Sequence, residues 1–297
     1  MRYTLSEPPK LFMVWTLVLI LLLALIWYLT QTKKLTLTDS TDQSGHDKLS
    51  LEESPISCPL VYYGNDLSFS EGVINTVLCK HFPFYTRLLD VDRDRFISRL
   101  KKFIESKIFI IHDSKGYREM PILISASAVQ VTFGLKKYLL SHFNIIQIFP
   151  QEFVGLEPFR ILIGNVTGNT INIAWKQFLE GYKNANDLQN VGLHEMAHAL
   201  YYQNFETELN VDKEFKESFE QFNSIGDKIY HKEKILTIGL YSEYAIRNFQ
   251  EFWAESIEIY FKSPDRMHQH YPELYGALCD VLNQDPLNYP YNLFQKN

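Results

Sequence analysis

One short stretch, residues 190–201, restricts the fold of this chain more than any other. It contains the pattern His-Glu-x-x-His, formed by His194, Glu195 and His198. Residues four apart on a helix share a face, so the two imidazoles can converge on one point. Imidazoles at that spacing bind Zn²⁺ and leave room for a third protein ligand and a water, on which the glutamate can act as general base. The alternative is an amphipathic helix whose two histidines stand there by chance.

The residues around the motif predict a buried helix. Apolar side chains recur at helical spacing and predict a stripe in the core: Leu193, Met196, Ala197 and Leu200. Candidate N-caps precede the motif at Asn184, Asn186 and Asp187. Because the histidines lie off the apolar stripe, we expect them to face a cleft.

Composition excludes nucleic acid as a partner and thiolate as a metal ligand. The net charge is -6 and the chain has no basic run, so it carries no electrostatic footprint for nucleic acid. Cys58, Cys79 and Cys279 are widely separated and not in Cys-x-x-Cys spacing, which argues against a disulfide framework and favours a reducing compartment. Any zinc is therefore expected to be bound by histidine and carboxylate.

The amino-terminal segment predicts a membrane anchor and a tether. After a tail of residues 1–10, an uncharged apolar run over 11–29 matches a hydrocarbon core of about 30 Å at about 1.5 Å per residue. A cleavable signal peptide is the alternative, but the run is long for one and no small-x-small site follows it. Residues 30–57 are rich in Thr, Ser, Asp and Glu and predict a disordered tether, and 58–297 form the folded domain.

The charges that flank the anchor leave its orientation open. Arg2 and Lys10 precede the apolar run, and Lys33 and Lys34 follow it. We expect a single-pass membrane protein whose folded domain lies on the cytoplasmic side.

The sequence pattern of residues 58–297 predicts strands and helices in mixed order. Helices are expected over residues 67–79, 92–107 and 121–140. Strands are expected over residues 108–112, 145–149, 159–166 and 170–174, the last two joined as a hairpin. A sheet before the His-Glu-x-x-His helix suits a peptidase, because an open edge strand lets an extended peptide add as a further strand.

The third zinc ligand must come from elsewhere in the chain. The continuation typical of metzincins would place Gly at 201 and His at 204, but the chain has Tyr201 and Asn204. The better candidate is a helix that Asn248 can cap. Its glutamates share one face beside an aromatic stripe: Glu251, Glu255 and Glu258. Three carboxylates on one face repel one another, so a buried cation is the simplest compensation, although a solvated acidic stripe is the alternative.

Over roughly residues 78–290 the sequence resembles the Mlc titration factor A family, the glucose-regulated bacterial metallopeptidases. The matching segments are FYTRLL (84–89), RFISRLKKFIESK (95–107), SASAVQVTFGL (125–135), VGLHEMAH (191–198), EFWAE (251–255) and QDPL (284–287). The pattern Tyr-Ala-x-x-Asn-x-x-Glu-Phe-x-Ala-Glu over residues 244–255 is also similar to the catalytic domain of anthrax lethal factor.

The resemblance implies a complete site. It implies zinc ligands at His194, His198 and Glu251, and a general base at Glu195. Tyr244 takes the place of a phenol that steadies the oxyanion, and Glu255 that of a carboxylate that holds a ligand histidine. Relatives commonly have Asp where this chain has Tyr201, and we expect that difference to alter the floor of the cleft.

We therefore expect an α+β, zincin-like metallopeptidase domain, with a small mixed sheet packed on helices, preceded by a single transmembrane helix in the bacterial inner membrane. The expected activity is Zn²⁺-dependent hydrolysis of peptide or protein substrates, with aminopeptidase-like cleavage as one form. The alternative is a binding protein that sequesters a transcription regulator and has a non-catalytic zinc site. Glu195 favours the enzyme, because a closed structural zinc site has no task for it.

Overall fold

The computed structural model describes residues 59–113, 116, 119–155, 160–183, 188–208, 210–235 and 239–288 of the chain. The predicted tail, anchor and tether lie outside these residues. Among the described helices, none is both long and apolar enough to cross a bilayer.

Seven strands and ten α-helices are described. The strands are β1 (Leu60–Tyr63), β2 (Ile108–Ile111), β3 (Ile145–Phe149), β4 (Phe153–Val154), β5 (Ile161–Leu162), β6 (Gly164–Thr167) and β7 (Thr170–Ala174). The helices are α1 (Glu71–His81), α2 (Pro83–Thr86), α3 (Asp90–Glu105), α4 (Glu119–Thr132), α5 (Trp175–Lys183), α6 (Val191–Phe205), α7 (Lys213–Glu233), α8 (Phe249–Lys262), α9 (Pro264–His270) and α10 (Pro272–Leu282).

Five strands form a mixed sheet in the order β1-β2-β3-β7-β6. β2, β3 and β7 run parallel in its centre, while β1 and β6 are antiparallel edges. β2 and β3 alternate between a buried and a half-buried face, with Ile146 and Ile148 of β3 fully buried on the inner one, whereas β7 is buried at every position. The helix α6 packs on β6 and β7, which places the His-Glu-x-x-His motif beside the edge of the sheet. A mixed α+β fold with a small sheet on helices is thus confirmed.

Most predicted elements are confirmed, with shifted ends. α1 begins later than predicted because Ser70 caps it, with its Oγ accepting from the N–H of Val73 at 3.3 Å. The helix predicted over 121–140 is wrong beyond Thr132. The helix ends at Thr132, and Arg99 Nη1 donates to the carbonyls of Thr132 and Phe133 there, at 3.1 and 2.9 Å.

The strand predicted over 159–166 is split by a bend at Ile163. Its first part, β5, pairs with β4 in a separate two-stranded sheet, which the sequence did not predict. Its second part, β6, pairs with β7 in the predicted hairpin, with Thr167 opposite Thr170.

Lys107, the residue before β2, is buried and links the segment before β3 to the core. Its Nζ donates to the carbonyl oxygens of Leu139 and Leu140, at 2.7 and 3.1 Å, and burial lowers its pKa to about 7. In the unfolded chain the pKa returns to about 10.4. Between about pH 7 and pH 10 the unfolded state binds more protons, so the contribution of Lys107 to the free energy of unfolding rises with pH, by at most about 1.4 kcal/mol per pH unit.

We predict that the free energy of unfolding of the native protein, relative to that of Lys107→Met, increases from about pH 7 to pH 9. Methionine has a similar length and does not titrate, so other groups cancel in the difference. Denaturant unfolding of both proteins at several pH values measures it. Parallel pH curves for the two proteins would show that the buried amine keeps an ordinary pKa.

Candidate metal centre

Two capped helices carry the candidate site. Asn190 begins α6, with its side chain accepting from the N–H of Leu193 at 3.0 Å, and Asn248 begins α8 by accepting from the N–H of Glu251 at 2.9 Å. The predicted cap at Asn248 is confirmed. For α6 the cap is Asn190, and the earlier candidates at 184–187 lie outside the described residues. The apolar stripe predicted for α6 is buried, as expected.

The two helices cross in antiparallel directions, which follows from the order of their contacts. His198 contacts Glu251, and His194, one turn earlier on α6, contacts both Glu251 and Glu258. The N–H of Asn190, a further turn earlier, donates to Glu258. The indole N–H of Trp253 donates to the carbonyl of Ala197 at 2.9 Å and holds the helices together behind the site.

Three potential ligand atoms converge where the helices cross. His194 Nε2 lies 3.1 Å from His198 Nε2 and 3.1 Å from Glu251 Oε2. His198 Nε2 lies 3.3 Å from the same carboxylate oxygen. A tetrahedral Zn²⁺ with bonds of about 2.0–2.1 Å holds its ligands roughly 3.3 Å apart. The triangle therefore has the size of a zinc site, and these three residues could hold a metal ion.

The hydrogen bonds around His194 indicate a place for a proton or a metal ion within this triangle. His194 Nδ1 lies 2.6 Å from Glu258 Oε1, which places the proton of a neutral His194 on Nδ1. Nε2 then directs a lone pair at the Glu251 carboxylate, which can only accept. Two acceptors face each other, and a proton or a metal ion must lie between them.

The pKa values of His194 and Glu251 are shifted in the directions that favour a positive charge between them. Burial lowers the pKa of His194, but its hydrogen bonds with Glu251 and Glu258 outweigh burial and hold that pKa well above its usual value. Burial raises the pKa of Glu251, but its hydrogen bonds with His194 and His198 outweigh burial and lower that pKa. A metal ion bound here would take the place of the proton on His194, so metal binding would release a proton.

Glu195 lies under β6 with one oxygen unsatisfied. The side chain is buried, and its Oε2 has no hydrogen-bond partner among the described residues. Burial raises the pKa of Glu195, and the nearby His194 and His198 offset only part of that rise. A buried carboxylate oxygen without a partner costs stability, which indicates a place for a donor such as a water.

The edge strand β6 comes so close to Glu195 that only glycine fits. A Cβ at Gly164 would lie 2.4 Å from Glu195 Oε1 and 2.7 Å from Val191 Cγ2. Glycine within a strand is a signal of such close approach, and this residue was not singled out from the sequence.

Tyr244 stands at the exposed side of the triangle. Its hydroxyl donates to Glu251 Oε1 at 3.3 Å, and 46% of the residue is exposed. Burial of the hydroxyl and then the charge of Glu251 raise the pKa of Tyr244 to about 12, so it remains a donor at neutral pH.

The structure differs from the expectation that Glu255 holds a ligand histidine. Glu255 accepts from the backbone N–H and the hydroxyl of Ser242, at 2.6 and 2.5 Å, and so fixes the segment that leads to Tyr244. The histidine contact belongs to Glu258. A position seven residues after Glu251 returns to within about 20° of the same helix face, whereas a position four residues later is about 40° away.

Tyr201 packs away from the ligand triangle. Its ring lies 4.8 Å from that of Phe205 and 5.7 Å from that of Phe219, and Phe219 in turn contacts Trp253. Tyr201 therefore belongs to an aromatic cluster between α6, α7 and α8.

We predict that Glu258→Ala weakens zinc affinity by about 10–100-fold, because His194 loses the partner that orients it. Glu251→Ala should abolish tight binding, since two histidines alone hold the ion poorly. Glu255→Ala should have a smaller effect than Glu258→Ala. Competition with a chromogenic chelator measures all three variants, with the exposed Glu217→Ala as the control.

A larger loss of zinc affinity in Glu255→Ala than in Glu258→Ala would contradict this assignment. Circular dichroism of each variant separates loss of a ligand from loss of the fold.

The chain matches one family model, but no curated protein matches it. The family model described as glucose-regulated metallo-peptidase M90 matches residues 68–282, more than half of the chain. The matched range contains α6, α8 and β6, and it confirms the resemblance drawn from the sequence. The chain belongs to the M90 family of glucose-regulated metallo-peptidases.

Proposed function

We propose that the protein is a zinc-dependent peptidase that hydrolyses peptide bonds in peptide or protein substrates. The observation that carries this proposal is the buried Oε2 of Glu195, which has no hydrogen-bond partner within the described part of the chain and lies beside a triangle of the size that zinc needs. A zinc site that only stabilises the fold, or that only serves to sequester a partner, would leave this carboxylate without a task.

Each residue of the site has a chemical role in this proposal. His194, His198 and Glu251 would hold the zinc, which supplies a Lewis acid for the scissile carbonyl and for a water. Glu195 accepts the proton of the attacking water and later gives it to the leaving amine. Burial raises the pKa of Glu195 and so favours uptake of a proton.

Tyr244 is placed to steady the negative charge that develops on the carbonyl oxygen. It keeps its proton at neutral pH because of its raised pKa. Donation to Glu251 at 3.3 Å is long for a hydroxyl, so the donor can turn to a substrate oxygen at little cost.

The edge strand β6 supplies backbone groups for an extended substrate. The N–H of Ala174 donates to the carbonyl of Ile163 at 2.8 Å. Along an antiparallel ladder the backbone N–H and C=O groups of successive residues point alternately towards the paired strand and away from it. Ile163 binds the β7 side, so the N–H and C=O of Gly164 and Val166 are directed to the open edge. A peptide that adds there as a strand would pass beside Glu195.

We predict that Glu195→Gln retains zinc but loses at least about 100-fold in the rate of peptide hydrolysis, because only the proton acceptor is removed. Metal content and hydrolysis of a peptide mixture, each with and without chelator, measure this. Glu217→Gln, an exposed change of the same kind, is the control. Full activity in Glu195→Gln would show that the hydrolysis comes from another base or from a contaminant.

In the same assay, Gly164→Ala should reduce the rate while zinc content stays unchanged. The added methyl group must displace either the Glu195 carboxylate or β6, and neither is a zinc ligand. A rate equal to that of the native protein would mean that the strand yields without consequence for Glu195.

Membrane anchoring through residues 11–29 is part of the proposal, and the uncharged apolar run supports it. The full chain should stay in the membrane fraction after alkaline extraction, and a chain without residues 1–57 should be released. Release of the full chain under the same conditions would contradict the anchor.

A further inference from the structure

Three large apolar side chains are exposed on the segment that leads into β6. Val154 is 64% exposed, Ile161 is 76% exposed and Ile163 is 43% exposed. Val154 and Ile161 are direct cross-strand partners in the hairpin of β4 and β5, and Ile163 lies two residues beyond Ile161. We call these three residues the hairpin patch. A cluster of apolar groups held in water is unfavourable, and such clusters mark binding surfaces.

The hairpin patch lies next to the candidate active site. Ile163 immediately precedes Gly164, the position that comes within 2.4 Å of Glu195 Oε1 when a Cβ is added. Its carbonyl is bound to the N–H of Ala174, so Ile163 is fixed to the central sheet. Ile163 and Ile161 lie one and three residues before Gly164, so the hairpin patch begins directly next to that position.

The opposite side of the hairpin is firmly anchored. Phe153 stacks on Phe149 with ring centroids 4.2 Å apart, and Phe149 stacks on His112 at 4.3 Å. His112 in turn lies 2.8 Å from the side-chain oxygen of Gln147. This stack attaches the hairpin to the ends of β2 and β3, so the hairpin patch is presented on a rigid support.

We propose that the hairpin patch is a specificity surface that selects peptides with a large apolar side chain within about three residues of the scissile bond. The inference rests on the proposed peptidase function. A strand that pairs with Gly164 and Val166 continues past Ile163, and there its side chains meet the three exposed residues. Burial of an apolar side chain against them favours such substrates over those with small or charged residues at that point.

The test uses the full-length protein in detergent and a peptide library that varies residues on both sides of one cleavable bond. The native protein should prefer leucine or phenylalanine near that bond. The double variant Ile161→Ser with Ile163→Ser should lose about tenfold in kcat/KM for those peptides and less than about twofold for peptides with alanine there. Val91→Ser, at a residue that is 72% exposed on α3, is the control.

A binding measurement separates this inference from the peptidase proposal. Fluorescence anisotropy of labelled peptides with Glu195→Gln should show the same apolar preference, which the double variant removes. If no peptide is cleaved but this preference is present, the peptidase proposal fails and the specificity surface stands. If the double variant keeps the native preference in both assays, the inference is wrong. If the double variant instead converts a dimer to a monomer and leaves the preference for apolar peptides unchanged, the inference is wrong and the hairpin patch is a contact between copies of the chain.

Discussion

The double contact of Glu258 links the chemistry of this site to the packing of the protein. One carboxylate oxygen meets Nδ1 of His194 at 2.6 Å, and the other accepts from the N–H of Asn190 at the start of α6. The same side chain therefore sets the orientation of a candidate ligand and satisfies a helix end. Because Glu258 is only 5% exposed, this contact is shielded from water and salt. The position of α8 against α6 thus decides the geometry of the ligand triangle.

The sequence was sufficient for those features that depend on local spacing. His194 and His198 share a face on any helix, and Glu251 follows a cap that Asn248 provides in the structure as well. The order of Glu251, Glu255 and Glu258 predicted a row of carboxylates. It did not predict which of them meets a histidine, because that depends on the antiparallel crossing of two helices separated by about forty residues of chain.

The close approach of β6 to Glu195 could not be predicted from the sequence for a similar reason. A helix period or a strand alternation predicts which face of an element is buried, but not how near another element approaches it. Gly164 carried a weak signal, since glycine is unfavourable in a strand without a reason. The bend at Ile163 and the pairing of β5 with β4 depend on short stretches whose partners lie only a few residues away, and their apolar pattern is equally compatible with one continuous strand. The burial of Lys107 could not be predicted either. A lysine at the end of a predicted helix is expected to be exposed, and the carbonyls that Lys107 binds lie more than thirty residues away in the chain.

The helix α6 is supported from behind by small residues. A Cβ at Gly192 would lie 2.6 Å from Phe178 Cε2 and 2.8 Å from Ser127 Oγ, so α6 lies as close to α4 and α5 as its backbone permits. Protein interiors have few gaps to absorb additional atoms. A larger side chain at Gly192 or Ser127 would therefore push α6 away from its neighbours, and the two imidazoles would move with the helix. Gly192 is thus restricted in size by the packing of three helices, although it is not one of the candidate metal ligands.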